Sequence, residues 1–541
     1  MRQEVKGKIV DVENRRIFSG KVVLEDDRII DISECDTHEM RYILPGFIDS
    51  HVHIESSMLT PKHFGEFVIE RGAVAIVTDP HEIANVTGVE GINYMLDDSD
   101  KSPIKTFFTI PSCVPATKFD VSGAVVSAED VEQLAASGKF IGLSEMMNVP
   151  GVIYQDKEVM AKLESAKKHH LILDGHAPGL RGDDLVSYAK CGISTDHECY
   201  TYDEAVEKIH LGMKILIREG SAARNYRALK DLIRDYPGDV MFCTDDAHPD
   251  DIMDRGYIDK MVKMSISDGY DIFDVLRIAS VNAIEYYKLD VGRLRVGDKA
   301  DFIVVDDLEA FNVQRVFING EVRYDSSKRT TADNSGSFNL NKFFHDKITI
   351  DDIKLPLSGE TSALELIGNE IVTKEYKYTP SAPTDNFQSD LDSDILKLVY
   401  INRYNNGVPQ VALCKGFGLK EGAVASSVAH DSHNIIAIGT SDEALVKAIN
   451  CLIDDKGGLI AVEGNGRVED FALPIAGIMC HLSGEEASDK THQLRRVVKE
   501  MGCHLAAPFM TLSFLALVVI PEIKIGEKGL FCYSKFNWLK E

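Results

Sequence analysis

Pro45-Gly46-Phe47-Ile48-Asp49-Ser50-His51-Val52-His53 is a short apolar run that ends in two histidines, two residues apart. Alternate residues of an extended segment share a face, so both imidazoles can reach one metal ion. The run is the first of eight, at residues 43–48, 73–77, 104–110, 140–143, 171–173, 192–194, 214–217 and 240–243. Helix-like stretches fill the gaps: in 156–168 the apolar Val159, Met160 and Leu163 fall at helical spacing, and 224–236 has the same character. Buried strands alternating with helices predict a parallel sheet. Eight such units predict an α/β fold, a TIM-like (β/α)8 barrel over residues 45–289.

In such a barrel the carboxyl ends of the strands carry the site. The fourth run ends at Ser144-Glu145, the fifth at Asp174-Gly175-His176, the sixth at Asp196-His197 and the eighth at Thr244-Asp245-Asp246. With His51 and His53 these supply four histidines and two carboxylates, each at a strand end. Six donors without a thiolate can hold two divalent ions: His51 and His53 on one, His176 and His197 on the other, Glu145 bridging and Asp245 closing the first. Such donors suit zinc, iron(II) or manganese and disfavour copper(I).

Asp79-Pro80-His81-Glu82 and Arg218-Glu219 bring further titratable groups to the same mouth. Asp79, Glu82, Glu219 and Asp246 are candidate substrate-binding residues, each with helix capping as its alternative role. Arg218 has the alternative of a plain salt-bridge partner. His430 and His433 are candidates for lining the pocket or binding metal, or belong to a polar loop. His169 and His170 fall at a helix end before their strand, and His63, His210, His345 and His492 are expected to be solvated or capping.

The 541 residues are 44% apolar and 27% charged, which excludes disordered, collagen-like and disulfide-scaffold classes. Acidic residues outnumber basic ones 86 to 59, and a net charge of −27 with no basic run argues against a nucleic-acid partner. Ten scattered cysteines without a C-x-x-C pair point to a reducing cytoplasm. Met1-Arg2-Gln3-Glu4-Val5-Lys6 has no apolar core of a secretory signal. The apolar stretch 505–520 carries Pro508, Thr511 and Ser513 and stops at Pro521, short of the roughly 18 to 20 residues of a membrane span, so a buried strand or helix is expected there.

The flanks differ from the centre. Residues 8–10 and 21–24 are short strands between Ser19-Gly20 and Asp26-Asp27 turns, and the same pattern returns at 292–306 and 316–322, where Asn319-Gly320 marks a hairpin. Residues 1–44 and 290–335 are therefore expected to build one small β-sandwich domain, with a polar linker at 326–341. Residues 342–541, with strands at 396–400 and 411–415, a helix at 441–453 and a polar stretch at 379–393, are expected to form a C-terminal α+β domain.

Pro45 to His53, followed by Glu145, His176, His197 and Asp245, resembles the amidohydrolase superfamily, which hydrolyses C–N and related bonds at a mono- or binuclear metal centre in the mouth of a barrel. Gly292-Arg293-Leu294-Arg295-Val296-Gly297-Asp298-Lys299-Ala300-Asp301 resembles the β-domain such proteins build from both sides of the barrel. Many relatives bridge their metals with a carboxylated lysine on the fourth strand, where this chain has Glu145. More closely, His51-Val52-His53-Ile54-Glu55-Ser56-Ser57-Met58, Asp79-Pro80-His81-Glu82-Ile83-Ala84-Asn85-Val86, Asp174-Gly175-His176-Ala177-Pro178, Thr195-Asp196-His197-Glu198 and Arg218-Glu219-Gly220-Ser221 resemble the bacterial-type adenine deaminase family. Gly416-Phe417-Gly418 and Val428-Ala429-His430-Asp431-Ser432-His433-Asn434 extend the likeness into the C-terminal part.

The resemblance implies hydrolysis of adenine to hypoxanthine and ammonia in purine salvage, by hydroxide activated at a binuclear centre. It implies two divalent ions, manganese or iron(II) ahead of zinc, with Glu145 as the bridge and Asp245 as the catalytic proton shuttle. A homodimer acting on free adenine, away from nucleic acid and membrane, is the expected assembly. A cyclic amidase or dihydroorotase-like hydrolase on the same scaffold is the alternative, and Glu145 in place of the lysine argues against it. A non-catalytic metal-binding subunit would be expected to lose a ligand, and all six stand in the sequence. Dinucleotide, P-loop and nucleophile-elbow fingerprints are missing, as is the H-x-E with P-C-x-x-C signature of deaminases acting on nucleic acid.

Overall fold

The apolar runs form the strands β1 (Phe47–Val52), β2 (Ala73–Thr78), β3 (Lys105–Ile110), β4 (Phe140–Met146), β5 (Ile172–Gly175), β6 (Thr195–Asp196), β7 (Lys214–Arg218) and β8 (Val240–Cys243). The computed structural model describes residues 2–328, 340–368 and 370–539, so 329–339 of the expected linker lie outside the described residues. Every residue of β1, β2 and β8 is buried, as an unbroken apolar strand covered on both faces must be. Strands β1 to β5 form one parallel arc and β6 to β8 another. The Ser194 N–H bonds Leu173 O at 2.9 Å across one seam and the Asp245 N–H bonds His51 O at 3.0 Å across the other, closing the barrel.

The eighth run keeps both expected limits, five others shift by one to three residues at an end, and two depart further. The first divides at Gly46: Tyr42–Pro45 leaves the barrel for the β-domain, while β1 starts at Phe47. A Cβ on Gly46 would stand 2.1 Å from Val74 Cγ1, so the chain crosses between layers where only glycine fits. The sixth strand begins at Thr195 rather than Gly192, because Gly192, at φ +89°, still belongs to the turn out of the preceding helix. Among the helices, Lys157–Lys168 is capped by the Asp156 side chain, which accepts from the N–H groups of Glu158 and Val159. The helix expected at 224–236 is two short ones, Tyr226–Leu229 and Leu232–Asp235.

The flanking strands Arg2–Asp11, Arg16–Glu25, Arg28–Glu34, Tyr42–Pro45, Phe302–Val305, Val313–Ile318 and Glu321–Asp325 form one seven-stranded sheet, where two stacked sheets are expected. The sheet curls until the Ile29 N–H reaches Asp298 O at 3.0 Å, so a single layer encloses its own core of Val5, Val22, Phe302 and Phe317. Asn319 (φ 50°) and Gly320 (φ 77°) make the hairpin turn, both in the left-handed region that a two-residue loop requires.

In the C-terminal part a nine-stranded sheet centres on Ile395–Ile401 and Ile435–Gly439 and packs helix Asp442–Asp455 on one face. The stretch 505–520 contains helix Pro508–Phe514, buried throughout. No helix among the described residues is long and apolar enough to cross a membrane. One continuous core joins this part to the barrel, and the Cys480 N–H bonds Met58 O at 2.9 Å between them. Two histidines expected to be solvated or capping are buried, His63 beside the N-cap residue of its own helix. His63 bonds Thr60 Oγ1 at 2.9 Å and His345 bridges the carbonyls of Asp346 and Gly407, partners that sequence periodicity does not reveal.

Candidate active site

At the carboxyl end of β1, alternation turns both His51 and His53 inward, and β4 sends Glu145 between them and the histidines that follow β5 and β6. Glu145 Oε1 lies 3.2 Å from His53 Nε2 and 3.8 Å from His51 Nε2. Its Oε2 lies 2.8 Å from His176 Nδ1 and 3.3 Å from His197 Nε2. One carboxylate thus offers an oxygen to each histidine pair. Asp245 Oδ1 stands 3.0 Å from His53 Nε2 and 3.4 Å from His51 Nε2. The six donors expected at strand ends are therefore brought together. His51 also stacks on His197, with ring centroids 4.3 Å apart.

The surroundings orient these donors. His53 Nδ1 is 3.0 Å from Asp79 O; a carbonyl only accepts, so Nδ1 donates there and Nε2 is the nitrogen turned to Glu145 and Asp245. Asp245 sits at φ +57°, a costly position for a residue with a Cβ, and is held there because its N–H and C=O both bond β1 and the residue after it. Arg218 donates to Glu198 at 2.5 and 2.9 Å and through Nη1 to Asp245 Oδ2, leaving Oδ1 for the histidines. Burial works to raise the Asp245 carboxyl, but Arg218 and the two imidazoles override it and hold it well below the ordinary value. Burial opposes ionisation of Glu145 too, and hydrogen bonds from His176, His197 and His53 keep it well below its usual range.

Over this centre lies a small, partly open cavity walled by charged and imidazole side chains of the barrel. Glu82 and Asp246 line it, and Asp246 accepts a 2.5 Å bond from Ser56. Asp79 does not line it: its Oδ2 holds His81 Nδ1 at 2.8 Å, and His81 is the cavity residue. Glu219 is a correction. Successive side chains of an extended segment point to opposite faces, so with Arg218 turned inward Glu219 turns away, to pair with Lys260 Nζ at 2.6 Å outside the cavity. His430 lines the cavity from the C-terminal part; its Nδ1 lies 2.6 Å from Glu82 Oε1, while His433 Nε2 bonds Glu82 Oε2.

The sequence model of the amidohydrolase family matches residues 42–323, and that of the adenine deaminase C-terminal domain matches residues 370–537. An adenine deaminase of Methanosarcina mazei is 48% identical over 552 residues, 98% of each chain. One from Sulfurovum sp. is 47% identical over 537 residues, and one from Borreliella afzelii 42% over 545, each covering 99% of both chains. This chain belongs to the adenine deaminase family. Family membership accounts for the paired strand-end donors, but the fit of a metal rests on the site itself. The buried His51 Nε2 has no hydrogen-bond partner although it faces two carboxylates, which is what a ligand nitrogen requires. Burial and the neighbouring His197 lower the His51 pKa, favouring the neutral, metal-binding form.

Two further residues of this adenine deaminase family member belong to the centre without a role having been read from the sequence. His81 Nδ1 comes within 3.5 Å of Glu145 Oε1. Glu198 Oε1 lies 3.6 Å from both His176 Nδ1 and His197 Nε2. The signal for both was position: each is a titratable residue at a strand end, next to or two away from a group already singled out.

Proposed function

We propose that the protein hydrolyses adenine to hypoxanthine and ammonia in purine salvage, at a binuclear centre held by His51, His53, His176, His197, Glu145 and Asp245. The observation that carries this reading is Glu145, one oxygen turned to each histidine pair, in a chain of this family. Two divalent ions, manganese or iron(II) ahead of zinc, would supply a water of lowered pKa and polarise the reacting carbon.

The protein's own groups do the rest. Asp245, oriented through Oδ2 by Arg218, takes the proton of the attacking water on its carboxylate and passes it to the departing amine. Carbon C6 becomes tetrahedral, its bond to the amine breaks, and of the two water protons one leaves with ammonia while the other ends on ring N1 as the C6 carbonyl forms. Asp246 and Glu82 line the cavity where the ring would lie, Glu82 with its two oxygens on His430 and His433. Arg218 on β7, paired with Glu198 after β6, holds Asp245 in place. The same reading takes a cytoplasmic homodimer with no nucleic-acid partner, supported by ten unpaired cysteines and a net charge of −27.

The test is ammonia release from adenine, guanine and adenosine, and consumption of dihydroorotate, by protein reconstituted separately with manganese, iron(II) and zinc. Adenine alone is expected to react. Adenine inert in every metal form, with dihydroorotate consumed, would give the scaffold to the cyclic amidases. Light scattering on the same samples reads the dimer.

A further inference from the structure

The cavity is not a property of the barrel alone. Its far wall comes from the C-terminal part: Ile371, His430, Asp431, Phe514, Leu517 and Ile520. Most polar groups of the 429–434 loop have a structural partner. The Glu82 carboxylate takes both His430 and His433. The His430 N–H bonds Ser513 Oγ at 3.0 Å, the Ser432 carbonyl accepts from Tyr404 OH at 2.6 Å, and Asn434 Nδ2 donates to Val121 O at 2.7 Å.

The exceptions are His433 Nδ1, which is not in the cavity wall, and Asp431. It is 4% exposed and sits in the cavity wall, yet its Oδ2 has no hydrogen-bond partner and its Oδ1 is 3.9 Å from the nearest imidazole nitrogen, His430 Nδ1. A buried carboxylate oxygen left unpaired is costly, and the loop is already held by the bonds of its neighbours. What Asp431 faces is the space a substrate would occupy.

We propose that Asp431 is a substrate-binding residue, its carboxyl group accepting a hydrogen bond from a ring N–H of a flat nitrogen heterocycle, so that the C-terminal domain selects free bases over ring-N-substituted ones. The inference rests on the adenine reading above and deepens it. The apolar surfaces of Phe514 and Leu517 beside Asp431 suit the face of such a ring, leaving the carboxyl group to read its edge.

The test uses the full-length, metal-reconstituted protein and its Asp431→Asn and Asp431→Ala variants. Losing one charged hydrogen bond is expected to raise KM for adenine about tenfold to a hundredfold, with kcat changed far less and the metal content per chain unaltered. A second measurement separates contact from mere packing. N-methylated adenines, each blocking one ring N–H, are compared with adenine as inhibitors; in the unmodified protein at least one binds about tenfold more weakly or worse, and in Asp431→Ala that gap closes. If the variants fail to fold, the inhibitor series on the unmodified protein decides alone, and equal binding of every methylated base overturns the inference. An unchanged KM with active unmodified protein also overturns it while the adenine reading stands. Loss of metal in Asp431→Ala overturns it by placing the residue at the metal centre. Failure of the unmodified protein to act on adenine overturns the functional reading first, and this one with it.

Discussion

Glu145 is an unmodified side chain whose two oxygens face different histidine pairs, the placement the proposed bridge requires. Glu145→Gln exchanges an anionic oxygen for an amide donor, so metal content is expected to fall and activity to drop by about a hundredfold or more, read by elemental analysis beside ammonia release. Retention of both metals with near-normal turnover would remove Glu145 from the centre. Arg218 answers a different question. It is the cation between Glu198 and Asp245, all three buried, and Arg218→Met leaves two carboxylates without it. Metal-free protein is expected to lose about 3–5 kcal/mol in urea unfolding. At this scale the strand-end donors were legible because residue type and period-two alternation are local. The outward turn of Glu219 towards Lys260 was not, since which of two adjacent residues faces the cavity depends on where the strand stops.

Elements carry the next layer. The strand Ile523–Gly526 holds Lys524, fully buried, whose Nζ donates to Ile371 O at 2.7 Å and Phe514 O at 2.9 Å. Burial lowers its pKa from 10.5 to about 7. A neutral amine in the fold and a charged one in the unfolded chain mean that the unfolded chain binds more protons between about pH 7 and 10.5. Stability therefore gains from this group as pH rises through that window, and the gain is absent below it. Urea unfolding at pH 7 and pH 9 is expected to show a smaller rise for Lys524→Met than for the unmodified protein, and parallel changes would refute the buried neutral amine. Helix Gly484–Glu500 begins with Ser483 and Glu486 bonded reciprocally, a capping box; Ser483→Ala is expected to cost about 1 kcal/mol in the same assay. Seven of the eight expected runs overlap a strand; the sixth, 192–194, stops where Thr195–Asp196 begins, and the helix expected at 224–236 is two. The division at Gly46 was not legible, because a close approach to Val74 is a fact about the neighbouring strand.

For the whole molecule, the barrel mouth is roofed by a part of the chain that begins after its last strand has long ended. Glu82 and His433, bonded to each other, are 351 positions apart. With donors from β1, β4, β5 and β6 and from Asp245 after β8 meeting at one centre, bound metal should act as a cross-link between distant elements. Chelation is expected to abolish activity and lower the melting temperature, and returning a divalent ion at a hundredfold over its dissociation constant should restore about 2.7 kcal/mol of stability, measured by thermal unfolding with and without metal. A melting temperature indifferent to chelation would mean that the donors hold no ion in the folded state.

The sequence by itself determined the barrel class, the order of its strands and the residue types at their ends, because hydrophobic period and turn chemistry act over a few residues and leave their mark in order along the chain. Tertiary structure alone decided that the β-domain is one curled sheet, that His81 and Glu198 join the centre, and that His430 and Asp431 wall the cavity. Those outcomes depend on how separately formed layers pack, and packing brings together side chains whose distance along the sequence carries no signal of their contact.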